Sequence, residues 1–148
     1  MIIDKQGDIM DAEELIIATD VSCMGLSNTG LPFVLKVTYP NVYNSYLAAA
    51  MTIKEKNLGN CLCLVSDDKT HVVAYLFNRT DNIDQDQQEQ YDALEHALKQ
   101  LHDIAVYNKD SVAIDSEFGT GNPETVRNII ESVFSDYEIT IYHNEEEE

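Results

Sequence analysis

Leu15-Ile16-Ile17-Ala18-Thr19 is an apolar run of strand length, the pattern of a β-strand covered on both faces. Such a strand obliges the chain to supply neighbouring strands and a layer of helices on each side. The rest of the sequence does so in alternation. Ile2-Ile3 opens a short strand that Gly7-Asp8 breaks, and a loop over residues 20–29 follows the apolar run. Pro32 fits the first turn of a helix reaching about Thr38, and a second helix follows Pro40, with Tyr43, Tyr46, Leu47, Ala50 and Ile53 or Lys54 at helical spacing. Residues 61–65 and 72–77 read as a hairpin turning at Asp67-Asp68-Lys69.

Residues 85–107 form the longest predicted helix, because Tyr91, Leu94, Leu98, Leu101 and Ala105 mark one apolar face. A strand over 111–114 and the loop Gly119-Thr120-Gly121 lead to Asn122-Pro123-Glu124, a helix start with Asn as N-cap and Pro at the first helical position. Val126, Ile129, Ile130, Val133 and Phe134 give that helix its apolar face, and residues 138–142 alternate as a last strand. The expectation is one α/β domain over residues 1–143, with a mixed sheet of about six strands between helices on both faces. Residues 144–148 form an acidic tail.

Length agrees, since 148 residues is about one domain. Nine Lys and Arg against 27 Asp and Glu give a formal charge of −18. A chain so acidic lacks the basic face that phosphate neutralisation requires, which argues against direct nucleic-acid binding. No stretch approaches about 18 continuous apolar residues, and Met1-Ile2-Ile3-Asp4-Lys5 has no secretion-signal pattern, so a soluble cytoplasmic protein without membrane contact is expected. Cys23, Cys61 and Cys63 are an odd number without a disulfide-framework spacing and read as reduced. Cys61 and Cys63 share a strand face, but the hairpin pairs His71 near Val65 or Ser66, away from both thiols. They read as buried small hydrophobes rather than as metal ligands. His96 and His102, six apart on a helix, do not face one metal either. No metal and no cofactor is expected.

In open α/β sheets ligands gather at the carboxyl ends of the strands. Two strand-to-helix loops lie there: Ser22-Cys23-Met24-Gly25-Leu26-Ser27-Asn28-Thr29-Gly30, and Gly119-Thr120-Gly121-Asn122. Their glycines allow backbone N–H groups to approach an anion, and each following helix presents its positive dipole end. A diphosphate could be gripped between them, with the Gly121 backbone close against it.

Gly7-Asp8-Ile9, the loop from Gly25 to Gly30 with Leu31-Pro32, Tyr39-Pro40-Asn41-Val42-Tyr43-Asn44-Ser45-Tyr46, Leu58-Gly59, Ala93-Leu94, Ser111-Val112-Ala113-Ile114, the Gly119 loop and Ile129-Ile130-Glu131-Ser132-Val133-Phe134 stand in the order of the macrodomain pattern. Over nearly its whole length the chain resembles the small stand-alone macrodomains that include ADP-ribose-1″-phosphate phosphatases and ADP-ribosyl-acylester hydrolases. That resemblance implies a three-layer α/β/α fold and a site for ADP-ribose or a close derivative. Asp8 would accept from the adenine amino group and Ile9 would pack beside the ring. Ser22, Gly25, Ser27, Asn28, Thr29 and Gly30 would surround the distal ribose and diphosphate. Gly119, Thr120, Gly121 and Asn122 would form the second phosphate loop, with Phe118 beside the ribose or in the core.

The chain also departs from that family. Ser22 stands where many members have Asn, Thr19 where phosphatase-like members have His, and Phe77-Asn78-Arg79 where the hydrolytic branch has Lys. Asn122-Pro123-Glu124 replaces a stretch carrying an Asp. Hydrolysis of a terminal phosphate or an ADP-ribosyl ester would need a carboxylate to orient water, for which Asp115, Asp20 and Glu117 are the candidates, Asp115 foremost. The alternative is a non-enzymatic protein whose acidic surface, residues 81–95 and the tail, mimics a nucleic acid toward a basic protein partner.

Overall fold

β2 (Ile16–Ser22) is the strand that the apolar run predicts, without Leu15, which precedes it and is exposed, and all seven of its residues are buried. It lies inside a six-stranded sheet in a computed structural model that describes residues 1–25, 29–80 and 85–144. The remaining elements are β1 (Ile2–Gln6), α1 (Gly30–Thr38), α2 (Pro40–Ile53), β3 (Cys61–Val65), β4 (Val72–Arg79), α3 (Gln87–Asn108), β5 (Val112–Asp115), α4 (Pro123–Val133) and β6 (Ile139–His143). The strand order is β1-β6-β5-β2-β4-β3, with every neighbouring pair parallel except β3 and β4. This is the mixed six-stranded α/β sheet that the alternation of elements implies.

Side-chain alternation divides the core into two layers. Ile17 and Val21 of β2, with Val73, Tyr75 and Phe77 of β4, meet Leu31 and Leu35 of α1 and Val42, Tyr46 and Ala50 of α2. Ile16 and Ala18, with Ala74, Leu76 and Ile114, meet Leu94, Leu98 and Leu101 of α3 and Val126 and Ile130 of α4. Tyr46 stacks on Tyr75 with centroids 4.6 Å apart and on Phe77 at 5.7 Å, tying α2 to β4.

Short-range signals set the element ends. Asn122 Oδ1 accepts from the N–H groups of Glu124 and Thr125, as its N-cap position requires. Asp86 caps α3 by accepting from the Glu89 N–H at 2.8 Å, so the helix starts at Gln87 rather than at Gln85. Ser66 N–H donates to His71 O and His71 N–H to Ser66 Oγ, which closes the hairpin in the expected register.

Several expectations are corrected. Asp20, Val21 and Ser22 extend β2 instead of opening a loop, because β4 also continues, to Arg79, and supplies their partners. The buried stripe of α2 runs Val42-Tyr46-Ala50, while Ile53 lies at the exposed end of the helix. β6 is buried on both faces through Tyr142 rather than alternating, since β1 and β5 flank it and both helix layers cover it. Cys61 and Cys63 do share a face, with sulfurs 3.8 Å apart. They are only partly buried, because β3 is an edge strand. Among the described residues no helix is long and apolar enough to cross a membrane.

Candidate functional site

The parallel strands β1, β6, β5, β2 and β4 all end on one edge of the sheet, at Gln6, His143, Asp115, Ser22 and Arg79. A cavity of about 420 Å³, lined by Asp115, Phe118, Gly119 and Gly121, among others, opens there, and two further cavities lie beside it. One, of about 320 Å³, is lined by Asp8, Ile9, Phe33, Val34, Asp115 and Tyr142, among others. The second, of about 180 Å³, is lined by Asp20, Thr29, Arg79, Gly119 and Thr120, among others. Gly30, Leu31, Asp115 and Glu117 line both, which makes them two halves of one cleft of ordinary small-ligand size.

The first half is built on β1 and β6. Asp8 turns the chain out of β1, and its Oδ1 accepts from the Met10 N–H at 2.9 Å, capping a single helical turn over Ile9–Asp11. Tyr142 contributes its ring, while its hydroxyl donates to Glu14 Oε1 at 2.6 Å. Burial and that carboxylate push the Tyr142 phenol up. Burial would raise the Glu14 carboxyl, but its bonds to Tyr142, Lys5 and Thr140 outweigh that and hold it low.

Asp20 organises the second half. Its Oδ1 accepts from the Gly119 N–H at 2.9 Å, and its Oδ2 accepts from Arg79 Nη1 at 3.0 Å and Asn78 Nδ2 at 3.2 Å. One carboxylate thereby joins the ends of β2 and β4 to the loop after β5. Both of its oxygens are engaged, so Asp20 braces the site and is poorly placed to activate water.

The second glycine loop is docked on helices. A Cβ at Gly119 would come 2.6 Å from Val126 Cγ1, and one at Gly121 would come 2.6 Å from the Tyr91 hydroxyl. Both glycines have positive φ, +87° and +100°. The Cβ side of Gly121 therefore makes room for α3, while the residue also lines the cavity of about 420 Å³. The Thr120 hydroxyl donates to Gln90, the Asn122 N–H donates to Tyr91, and the Asn122 side chain is taken by its cap. Phe118 is buried in the α3–α4 core layer and also borders the cavity of about 420 Å³.

Of the first loop, Ser22 is buried with its hydroxyl accepting from the Met24 N–H, because it is still part of β2. Gly25 packs under Leu47 of α2, whose Cδ1 lies 2.8 Å from where a Cβ would stand. Thr29 and Gly30 stand at the start of α1, inside the cleft. Ser27 and Asn28 lie outside the described residues, as do Asp81, Asp84 and residues 145–148. Phe33, Val34 and Tyr142 are cleft residues that the sequence reading missed. Their apolar character reads as core, and only Pro32, next to Phe33, hinted that the first turn of α1 borders the loop. His96 and His102 are engaged separately, with Gly59 O and with Asp136.

No family profile and no curated protein matches the sequence. Solved structures do match the fold. The macrodomain of Mycobacterium tuberculosis DarG aligns at a TM-score of 0.80 and 20% identity, over 96% of this chain and 97% of that one. A macrodomain protein from Streptomyces coelicolor aligns at 0.78 and 19%, over 96% and 98%. Thermosipho africanus DarTG, solved in complex with ADP-ribose, aligns at 0.72 and 16%, over 96% of this chain and 41% of that one. The chain has the macrodomain fold.

Proposed function

From the macrodomain fold as premise, we propose that the cleft binds ADP-ribose or a close derivative. The observation that carries this reading is that the two cavities lie side by side and share Gly30, Leu31, Asp115 and Glu117 as lining. The half beside Asp8, Ile9 and Phe33 offers a carboxylate acceptor next to apolar and aromatic walls, as a purine requires, and the half beside Gly30 and Gly119 accommodates the phosphates and distal ribose. The ADP-ribose complex of a protein with the same fold supports it. Calorimetry with ADP-ribose, ADP, AMP and NAD tests it: ADP-ribose should bind tightest, and no heat with ADP-ribose at high protein concentration would sink the reading. Asp8→Ala should weaken adenine-containing ligands by about 1.5–3 kcal/mol, the worth of one charge-assisted hydrogen bond.

The same cleft suits hydrolysis of ADP-ribose 1″-phosphate or of an ADP-ribosyl ester. Asp115 and Glu117 both line the two cavities, and Asp115, which ends β5 at the carboxyl edge of the sheet, is the carboxylate assigned to orient a water beside the distal ribose. Asp115→Ala should lower turnover of either substrate at least about a hundredfold while leaving ADP-ribose affinity nearly unchanged. Unchanged turnover in a single-turnover assay removes Asp115 from the mechanism.

A further inference from the structure

Arg79 is the one basic side chain among the described residues lining the two halves of the cleft. It is held firmly. Nη1 donates at 3.0 Å to Asp20 Oδ2 and at 3.0 Å to Asn78 Oδ1, and both partners are buried at strand ends. Both bonds fall on the same nitrogen, and among the described residues nothing accepts from Nη2 or Nε. A guanidinium fixed at one corner keeps an edge with two parallel N–H groups, the arrangement that matches two oxygens of a phosphate. Arg79 lines the cavity of about 180 Å³, where Asp115 and Glu117 supply carboxylates. Those carboxylates repel an oxyanion, so Arg79 is the side chain of that cavity from which one gains charge attraction.

We propose that Arg79 is an oriented oxyanion receptor that makes the cleft select a ligand with a phosphate monoester on its distal end over the same ligand without it. Asp20 and Asn78 act through Arg79 as positioning residues. This rests on the ADP-ribose reading and narrows its substrate class, favouring the 1″-phosphate over a neutral ester.

The test compares ADP-ribose with ADP-ribose 1″-phosphate by calorimetry, in the parent protein, Arg79→Gln and Arg79→Lys. The parent should prefer the phosphorylated ligand by about tenfold or more, and Arg79→Gln should erase that preference, the readout being the ratio of the two affinities within each variant rather than the ADP-ribose affinity itself. Arg79→Lys, which keeps the charge but not the fork, should keep only part of it. An equal preference in parent and Arg79→Gln, or none in the parent, overturns the proposal. Arg79→Gln also loses the ion pair with Asp20, so circular dichroism and a thermal midpoint accompany each variant. Inorganic phosphate, followed by phosphorus NMR line width, is the second probe. If the parent binds neither nucleotide, the ADP-ribose reading fails, yet phosphate binding lost in both Arg79→Gln and Arg79→Ala still supports the receptor. Phosphate broadening indifferent to residue 79 rejects it.

Discussion

Tyr46 shows how much one side chain holds at the site's edge. Its ring stacks between α2 and β4, and its hydroxyl donates to Ser22 O at 2.8 Å, fixing the last residue of β2 beneath the first loop. Tyr46→Phe keeps the stack and loses that bond. The Gly25 N–H, 3.5 Å from the same oxygen, partly replaces it, so a cost of about 1 kcal/mol is expected. Tyr46→Ala empties a fully buried site and should cost about 3–5 kcal/mol. Urea midpoints measure both, and near-equal losses would show that the hydroxyl rather than the ring stabilises this layer. Asp20 makes the same point from the polar side, because its identity as an acidic residue says less about its role than the three donors around it.

At the scale of elements, the second glycine loop and the β1 edge each depend on a long-range fit. Gly121→Val would push a branched side chain into the Tyr91 hydroxyl and the Gln87 amide at a φ of +100°, lifting the loop from α3. Thermal unfolding should register a loss of about 1–3 kcal/mol even without ligand. A variant as stable as the parent would mean that the loop is not docked as described. On β1, Arg127 and His143 donate to Asp4 and clamp the edge strand to α4 and β6. Those hydrogen bonds pull the Asp4 carboxyl from 3.8 down to about 2. A depressed carboxyl contributes stability above its unfolded value, and the contribution disappears as pH falls from about 4 toward 2. Asp4 is nearly half-exposed, so solvent screens the effect. Asp4→Asn should make urea midpoints less steep over that pH interval, and an identical acid limb in both proteins would count against the clamp.

The whole molecule sets the electrostatic background against which these contacts act. A formal charge of −18 opposes any anionic ligand at long range, and Asp8, Asp20, Asp115 and Glu117 add to that at the cleft. Binding must therefore rest on short-range, oriented donors. Salt should strengthen it: between about 0.01 M and 0.15 M ionic strength the Debye length shrinks from about 30 Å to about 8 Å, and ADP-ribose affinity should rise roughly two- to fivefold. Weakening over that range, measured by calorimetry, would point to a cationic attraction larger than the one Arg79 supplies.

Sequence by itself determined the alternation of strands and helices, the hairpin register at Ser66 and His71, the Asn122 cap and the two-faced burial of Ile16 to Thr19, and the macrodomain pattern carried the fold. These are local: periodicities, turns and caps act within a few residues, where side-chain chemistry alone specifies the backbone. Only the tertiary structure decided what the cleft residues do. Asp20 meets the Gly119 N–H across 99 residues of sequence and Asn78 across 58. The Cβ side of Gly121 faces Tyr91 of α3, and Phe118 packs in the core layer while Phe33 borders the first half of the cleft. No spacing encodes such meetings, because they depend on which strands become neighbours and how each helix rotates when it packs on them.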